Sequence, residues 1–352
     1  MIRMPAELVA DLDRPDALHA ALQTAIELEH ATIPVYLYAL YSLEPGRNAL
    51  VADMLRSVVR EEMTHMGLAA NLLNAVGGSP VVARPGFIPD YPGPLPGTVG
   101  GDVEVRLDRL SLDLVEHVFM KIEEPEDPLA FPTESDAAFD PLTIGEFYAA
   151  IADQLTAAGA GGFVGDPARQ VTHELGPEGL IAITDLDSAL AAIHTIVEEG
   201  EGTTQSPLDR EGELAHYYRF AEIKNRHRLV PHPNPPPDAP PDQLFSYTGD
   251  PVEIDAAGVR PLRRDPRLHP YPAGSAADLA NQTFNYTYTA VLKTLHVAFN
   301  GRPDQFLRTV GLMESAKQTA LEMGRLPADP DQPNADRAGP SFAWQPVLTG
   351  SG

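Results

Sequence analysis

Met54-Leu-Arg-Ser-Val-Val-Arg-Glu-Glu-Met-Thr-His-Met-Gly-Leu68 decides the fold, because its apolar and ionisable residues share one helical register. Residues three and four apart lie on one face of a helix, so Met54, Val58, Glu62, His65 and Leu72 form a single stripe. A carboxylate and an imidazole buried in such a stripe without partners are costly, and a divalent metal ion offsets that cost. The same Glu-x-x-His unit returns as Glu213-Leu-Ala-His216, in register with Phe220 and Ile223. An earlier helix places Glu29 among Leu22, Ile26, Ile33 and Leu40, whereas Glu27, which makes a further Glu-x-x-His with His30, falls on the flank as a decoy. A later helix ends in Val197-Glu-Glu-Gly-Glu-Gly202, where Glu198 and Glu201 share a face with His194. One of these two completes the set, and Glu198 is favoured. One Glu from each of two helices plus a Glu-x-x-His from each of two others is the ligand pattern of a carboxylate-bridged dinuclear metal site in a helical bundle. Oxygen and imidazole ligands suit iron or manganese without choosing between them.

Outward from this stretch, the prolines mark the connections. They cluster at Pro80–Pro96, Pro231–Pro241, Pro261–Pro272 and Pro327–Pro346, and the stretches between read as helices. Apolar spacing predicts helices over 16–42 and 50–76, joined by the Glu44-Pro45-Gly46 turn and hence antiparallel. Further helices are expected over 111–123, 143–157, 184–199, 209–229, 276–300 and 303–325, with strand-like alternation confined to short pieces near Val99–Leu107. The expected architecture is all-α: a metal-binding bundle over 1–230, a Pro-rich connection over 231–274, a helical hairpin over 275–326 packing on the bundle, and a tail over 327–352.

The acid excess excludes whole classes of function. With 25 Lys and Arg against 50 Asp and Glu, the net charge is −25, and no basic stripe offsets it, so nucleic acid is a poor partner. The chain has no cysteine, which removes disulfides, thiolate metal sites, iron–sulfur clusters and a cysteine nucleophile. No apolar core of signal-peptide length opens the sequence and no run of about 18 apolar residues follows, so we expect a soluble, cytoplasmic protein with no membrane partner.

Four stretches carry a resemblance: Ile26-Glu-Leu-Glu-His-Ala-Thr-Ile-Pro-Val-Tyr-Leu-Tyr-Ala-Leu-Tyr-Ser42, Arg60-Glu-Glu-Met-Thr-His-Met66, Ile196-Val-Glu-Glu-Gly-Glu-Gly202 and His216-Tyr-Tyr-Arg-Phe220. Together with Phe245-Ser-Tyr-Thr-Gly-Asp-Pro251, Asn285-Tyr-Thr-Tyr-Thr289 and Gly339-Pro-Ser-Phe342, the sequence resembles the ferritin-like iminophenyl-pyruvate dimer synthase family over nearly its whole length. That family includes domains of the enzymes that couple two tryptophan-derived imines on the way to violacein, rebeccamycin and staurosporine. The resemblance implies a ferritin-like four-helix bundle with additional helices and long Pro-rich loops, and an oxidative role in secondary metabolism with an aromatic α-imino acid as substrate. Its best-known members are much longer chains. Glu199 departs from the family pattern, where Gln is expected, and leaves open which glutamate of that segment binds metal.

The metal ligands expected are therefore Glu29, Glu62, His65, Glu213, His216 and one of Glu198 and Glu201; four glutamates carry −4, which balances two divalent ions, iron or manganese. Beside them, Tyr36 and Tyr217 are candidates for a catalytic hydrogen bond or electron transfer. Arg219 either grips a substrate carboxylate in a fork or pairs with a glutamate such as Glu222, and Arg60 is read the same way. Pro34 predicts a kink one turn beyond His30. The leading function is a dinuclear, di-iron oxidase acting on a small organic molecule with dioxygen or peroxide. The alternatives are a ferroxidase that oxidises iron itself and a non-catalytic helical binding protein. A homo-oligomer is left open.

Overall fold

The computed structural model describes residues 5–98, 103–125, 144–202, 206–232, 234–235 and 239–346, with the side chains of Ala6, Glu201 and Asp242 left out. Helix α1, Pro15–Ser42, starts on a proline, which at the first helical position forfeits only an orphan N–H. It is the central element: Leu22, Ala25, Ile26, Ala31 and Val35 are fully buried, and polar Glu29, His30 and Thr32 are buried with them. The helix runs through Pro34 without a break. Burial on all sides offsets the roughly 3 kcal/mol that a mid-helix proline costs. Gly46 (φ 81°) and Asn48 (φ 52°) turn the chain into α2, Ala49–Ala75, and the α1–α2 pair is the most extensive helix contact.

The next helix, α3 (112–122), is composite. Ser111 caps it by accepting from the Leu114 N–H, and a wide π turn over Val115–Phe119 leads into the last turn, Met120–Ile122. Helix α4, Ile144–Ala158, packs along α5, Leu186–Glu201, which also lies against α2. An Asp185/Ser188 capping box starts α5. Helix α6 is short, His216–Asn225, and packs against the π turn of α3. It begins seven residues later than the apolar spacing predicts: the Asp209 carboxylate accepts from the Glu211 and Glu213 N–H groups, Gly212 adopts φ 88°, and Leu208 bridges Leu214, closing a local turn where helix was expected.

Beyond α6 the chain is mostly irregular, with a two-residue antiparallel pairing of Val230–Pro231 with Phe245–Ser246. Near Val99–Leu107 the described residues hold a single bridge, Gly93 to Val105, in place of the expected strand pieces. Helices α7, Ala276–Phe299, and α8, Phe306–Met323, form a hairpin that packs on α2 and α1. The segment expected as a tail is, over 327–346, a strap. Ala338 donates to the Leu326 carbonyl, Arg263 to the Arg337 carbonyl, and the fully buried Phe342 ring meets Phe284 and Tyr288 edge-on. Gly339 lies so close to α1 that a Cβ there would come 2.3 Å from the Tyr38 hydroxyl. Among the described residues no helix is long and apolar enough to cross a membrane.

Candidate metal centre

Four helices bring five ionisable side chains to one buried point. Glu29 comes from α1, Glu62 and His65 from α2, Glu123 from the residue after α3, and His216 from the first position of α6. They form two triads, Glu29–Glu62–His65 and Glu62–Glu123–His216, each with one ligand atom per residue lying within 4.8 Å of the others. Glu62 belongs to both. His65 Nδ1 lies 3.6 Å from Glu29 Oε2, while His216 Nδ1 lies 2.9 Å from Glu62 Oε1 and 3.5 Å from Glu123 Oε2. The two rings stack at 5.5 Å between centroids.

Both imidazoles are oriented from behind by a glutamate. His65 Nε2 lies 2.8 Å from Glu199 Oε2, and His216 Nε2 lies 2.9 Å from Glu61 Oε2. An N–H donated outward from Nε2 leaves Nδ1 as the lone-pair side, facing the carboxylates. Glu61 is itself held by Arg219 Nη1 at 2.8 Å, which also donates to Ser57 Oγ at 3.0 Å. Each carboxylate of the cluster has a hydroxyl on one oxygen: Tyr148 donates to Glu29 at 2.6 Å, Tyr36 donates to Glu123, and Thr32 Oγ1 sits 2.9 Å from Glu62 Oε2.

Without a cation this arrangement is electrostatically stressed. Burial, and then the neighbouring Glu123 and Glu29 charges, push the Glu62 carboxyl up to about 7. Burial works against a charged His65, but Glu199 and Glu29 outweigh it and raise the imidazole to about 10; against the same opposition from burial, Glu123, Glu61 and Glu62 hold the His216 imidazole well above its usual range. Burial also opposes an ionised Glu61, yet His216 and Arg219 prevail and lower it to about 2. Protons are thus held where cations are needed. His216 Nδ1 is a buried nitrogen aimed among carboxylate oxygens, and although Glu62 Oε1 is 2.9 Å away the two are not aligned as a hydrogen bond. That orphaned atom, with three carboxylates and two imidazoles, fits two metal ions sharing Glu62. The cavity at the cluster is about 40 Å³ and is walled by Leu28, Leu95, Ile122, Ile144 and Ile196.

The structure thus gathers Glu29, Glu62, His65 and His216 from the expected ligands, and places Glu213 and Glu198 elsewhere. Glu213 is exposed and precedes α6, so the 213–216 unit is not on a helix and its carboxylate does not share the His216 face. Glu198 pairs with Arg210 at 2.8 Å, away from the cluster, and the Glu201 side chain lies outside the described residues. Glu27 pairs with Arg84, and His30 faces away to meet the Tyr288 hydroxyl at 2.9 Å, where burial depresses its imidazole to about 3. Tyr36 is at the cluster through Glu123, whereas half-buried Tyr217 meets Tyr218 edge-on and makes none of the cluster's contacts. Arg219 takes the glutamate-pairing alternative, with Glu61 as partner and not Glu222.

The expected set lacked Glu123, Glu61, Glu199 and Tyr148, although the departure at Glu199 had left the metal-binding glutamate of its segment open. Glu123 had a signal: it lies four residues after Phe119 and eight after Val115, on an apolar face, although the acidic run Glu123-Glu-Pro-Glu-Asp127 that it opens has the composition of a solvated helix end. The other three touch the cluster only through tertiary contacts, and no local spacing marks them.

Comparison with known proteins agrees with this fold. Dichlorochromopyrrolate synthase of Lentzea aerocolonigenes is 26% identical over an alignment of 387 positions that covers 92% of this chain; the chain spans only about a third (35%) of that relative's length. The crystal structure of a ferritin-like protein from Caulobacter vibrioides superposes with a TM-score of 0.58 over 92% of this chain and 97% of that one, at 24% identity, a likeness of fold alone. The Ferritin-like family profile matches residues 22–225, which span all five residues of the cluster, and the chain accordingly belongs to the Ferritin-like family.

Proposed function

We propose that the chain is an oxidoreductase that holds a dinuclear metal centre, with iron as the metal, and oxidises a small organic molecule. The observation that carries this reading is the shared Glu62 between two buried carboxylate–imidazole triads, with a glutamate behind each imidazole. When bound, a pair of such ions supplies electrons to dioxygen or peroxide. The chain's own residues do the rest. Glu29, Glu62, Glu123, His65 and His216 fix the ion positions. Among the described ligands the charge is −3, so two divalent ions leave room for one further anion. Tyr148 and Tyr36 keep a proton each at the Glu29 and Glu123 oxygens, because burial first, and then those same carboxylates, hold both phenols well above their usual range. The aliphatic wall keeps bulk water away.

The identity with a dichlorochromopyrrolate synthase supports a small-molecule substrate in secondary metabolism. With the sequence resemblance, it supports oxidative coupling of aromatic α-imino acids as the reaction. Joining two such molecules removes two electrons and two protons from the pair, which dioxygen takes up to become peroxide, or peroxide to become water.

The small cavity favours a second reading. A space of about 40 Å³ admits ions and a diatomic oxidant but not an aromatic ring, which suits a ferroxidase whose substrate is iron itself. Anaerobic loading with ferrous iron, then dioxygen or peroxide, with and without an imine generated in situ by an amino-acid oxidase, separates the two. Coupled or oxidised organic product in the mass spectrum supports the first reading; iron oxidation and mineralisation without organic product supports the second.

A further inference from the structure

A cavity far larger than the one at the metal cluster lies elsewhere on the same helices. It measures about 820 Å³ and lies between the α1–α2 pair and the α7–α8 hairpin. That volume is typical of a site for a small organic molecule. Glu29 and His30, Glu62 and Met63, and His65 and Met66 are neighbours in sequence, yet the first of each pair belongs to the cluster and the second lines this cavity. The two spaces therefore lie on different faces of the same helices.

Most of the wall is apolar, with Ile33, Leu37, Met63, Leu292, Leu295 and Phe306 among its residues. The rim holds Arg47, Arg56, Arg60 and Lys317 together with Glu44, Asp53 and Glu314. Arg47, Arg56 and Lys317 are already paired, with Asp255, Asp53 and Glu314. Arg60 has no side-chain partner among the described residues.

We propose that this cavity is a second ligand site, separate from the metal centre, which binds an amphipathic organic acid. The apolar body lies between the two helix pairs, and the anionic group meets Arg60. Nothing in the proposal requires metal or turnover, so it stands or falls independently of the oxidase reading.

The test uses the full chain, stripped of metal, and the fluorescence of 8-anilinonaphthalene-1-sulfonate, an aromatic acid small enough for this volume. The expected result is saturable one-to-one binding, weakened at least tenfold by Arg60→Glu and abolished by Ala316→Trp, which fills the cavity. If Ala316→Trp loses its helical circular dichroism, Leu295→Trp takes its place. Displacement by decanoate or by 2-naphthoate distinguishes an acyl from an aromatic source of the ligand, and either supports the site. No saturable binding, binding unchanged by Arg60→Glu, or a concentration-dependent dimer that excludes the probe would overturn it; the last outcome would make a second copy of the chain the occupant.

Discussion

At the scale of single residues, the account rests on which glutamates reach the cluster. Glu123→Ala removes a ligand from one triad only and is expected to lower bound metal from about two ions per chain toward one, whereas Glu213→Ala leaves it unchanged; metal analysis of the two variants side by side checks this. Arg219 acts one step further out, through Glu61 to His216. Arg219→Ala is expected to weaken metal binding about 10- to 100-fold, as loss of an outer partner does, with Arg219→Lys recovering part of it in a competition assay against a chromogenic chelator. Part of this was legible in the sequence. Glu29, Glu62 and His65 stand in the apolar register of long helices, where burial follows from periodicity. His216 was legible through a pairing with Glu213 that does not exist, because the Asp209–Gly212 turn delays the helix. Glu123 was hidden by the wide turn of α3 and the proline after it.

At the scale of elements, α1, α2 and the α7–α8 hairpin were readable because apolar spacing and Pro or Gly boundaries agree. The strap over 327–346 was not, since its anchors are side chains far apart in sequence: Asn285 Nδ2 to Ser341 Oγ at 2.8 Å, and Tyr271 to the Gly339 carbonyl at 2.6 Å. Gly339 is the strap's tightest point against α1. Gly339→Ala is expected to cost about 1–3 kcal/mol, because the buried Tyr38 ring has no room to yield. Thermal melting should show the loss while bound metal stays at its normal level, since the strap does not touch the cluster. A melting temperature equal to that of the unaltered protein would mean that the strap does not bear on α1 as described.

At the scale of the whole molecule, charge and stability meet at the cluster. In the metal-free protein, Glu62 is raised from its usual 4.5 to about 7 and His65 from 6.5 to about 10. Both groups bind more protons folded than unfolded, Glu62 between pH 4.5 and 7 and His65 between pH 6.5 and 10. The stability they contribute is therefore full at the acid end of each window and falls as pH rises through it. Glu61 is lowered and acts the other way, but only below its ordinary value, near pH 2 to 4.5. Chelator-stripped protein is thus expected to melt at lower temperature at pH 9 than at pH 6, and metal, which displaces those protons, to raise the melting temperature more at pH 9. A stripped protein that grows more stable over that interval would contradict the clustering of these groups.

The shared role of Glu62 is tested most directly by counting metal. Protein loaded anaerobically with ferrous iron and freed of excess should hold about two ions per chain, and Glu62→Ala should hold fewer than one. Two ions retained in Glu62→Ala, or none bound by the unaltered protein after the same loading, would contradict a dinuclear centre built on that residue.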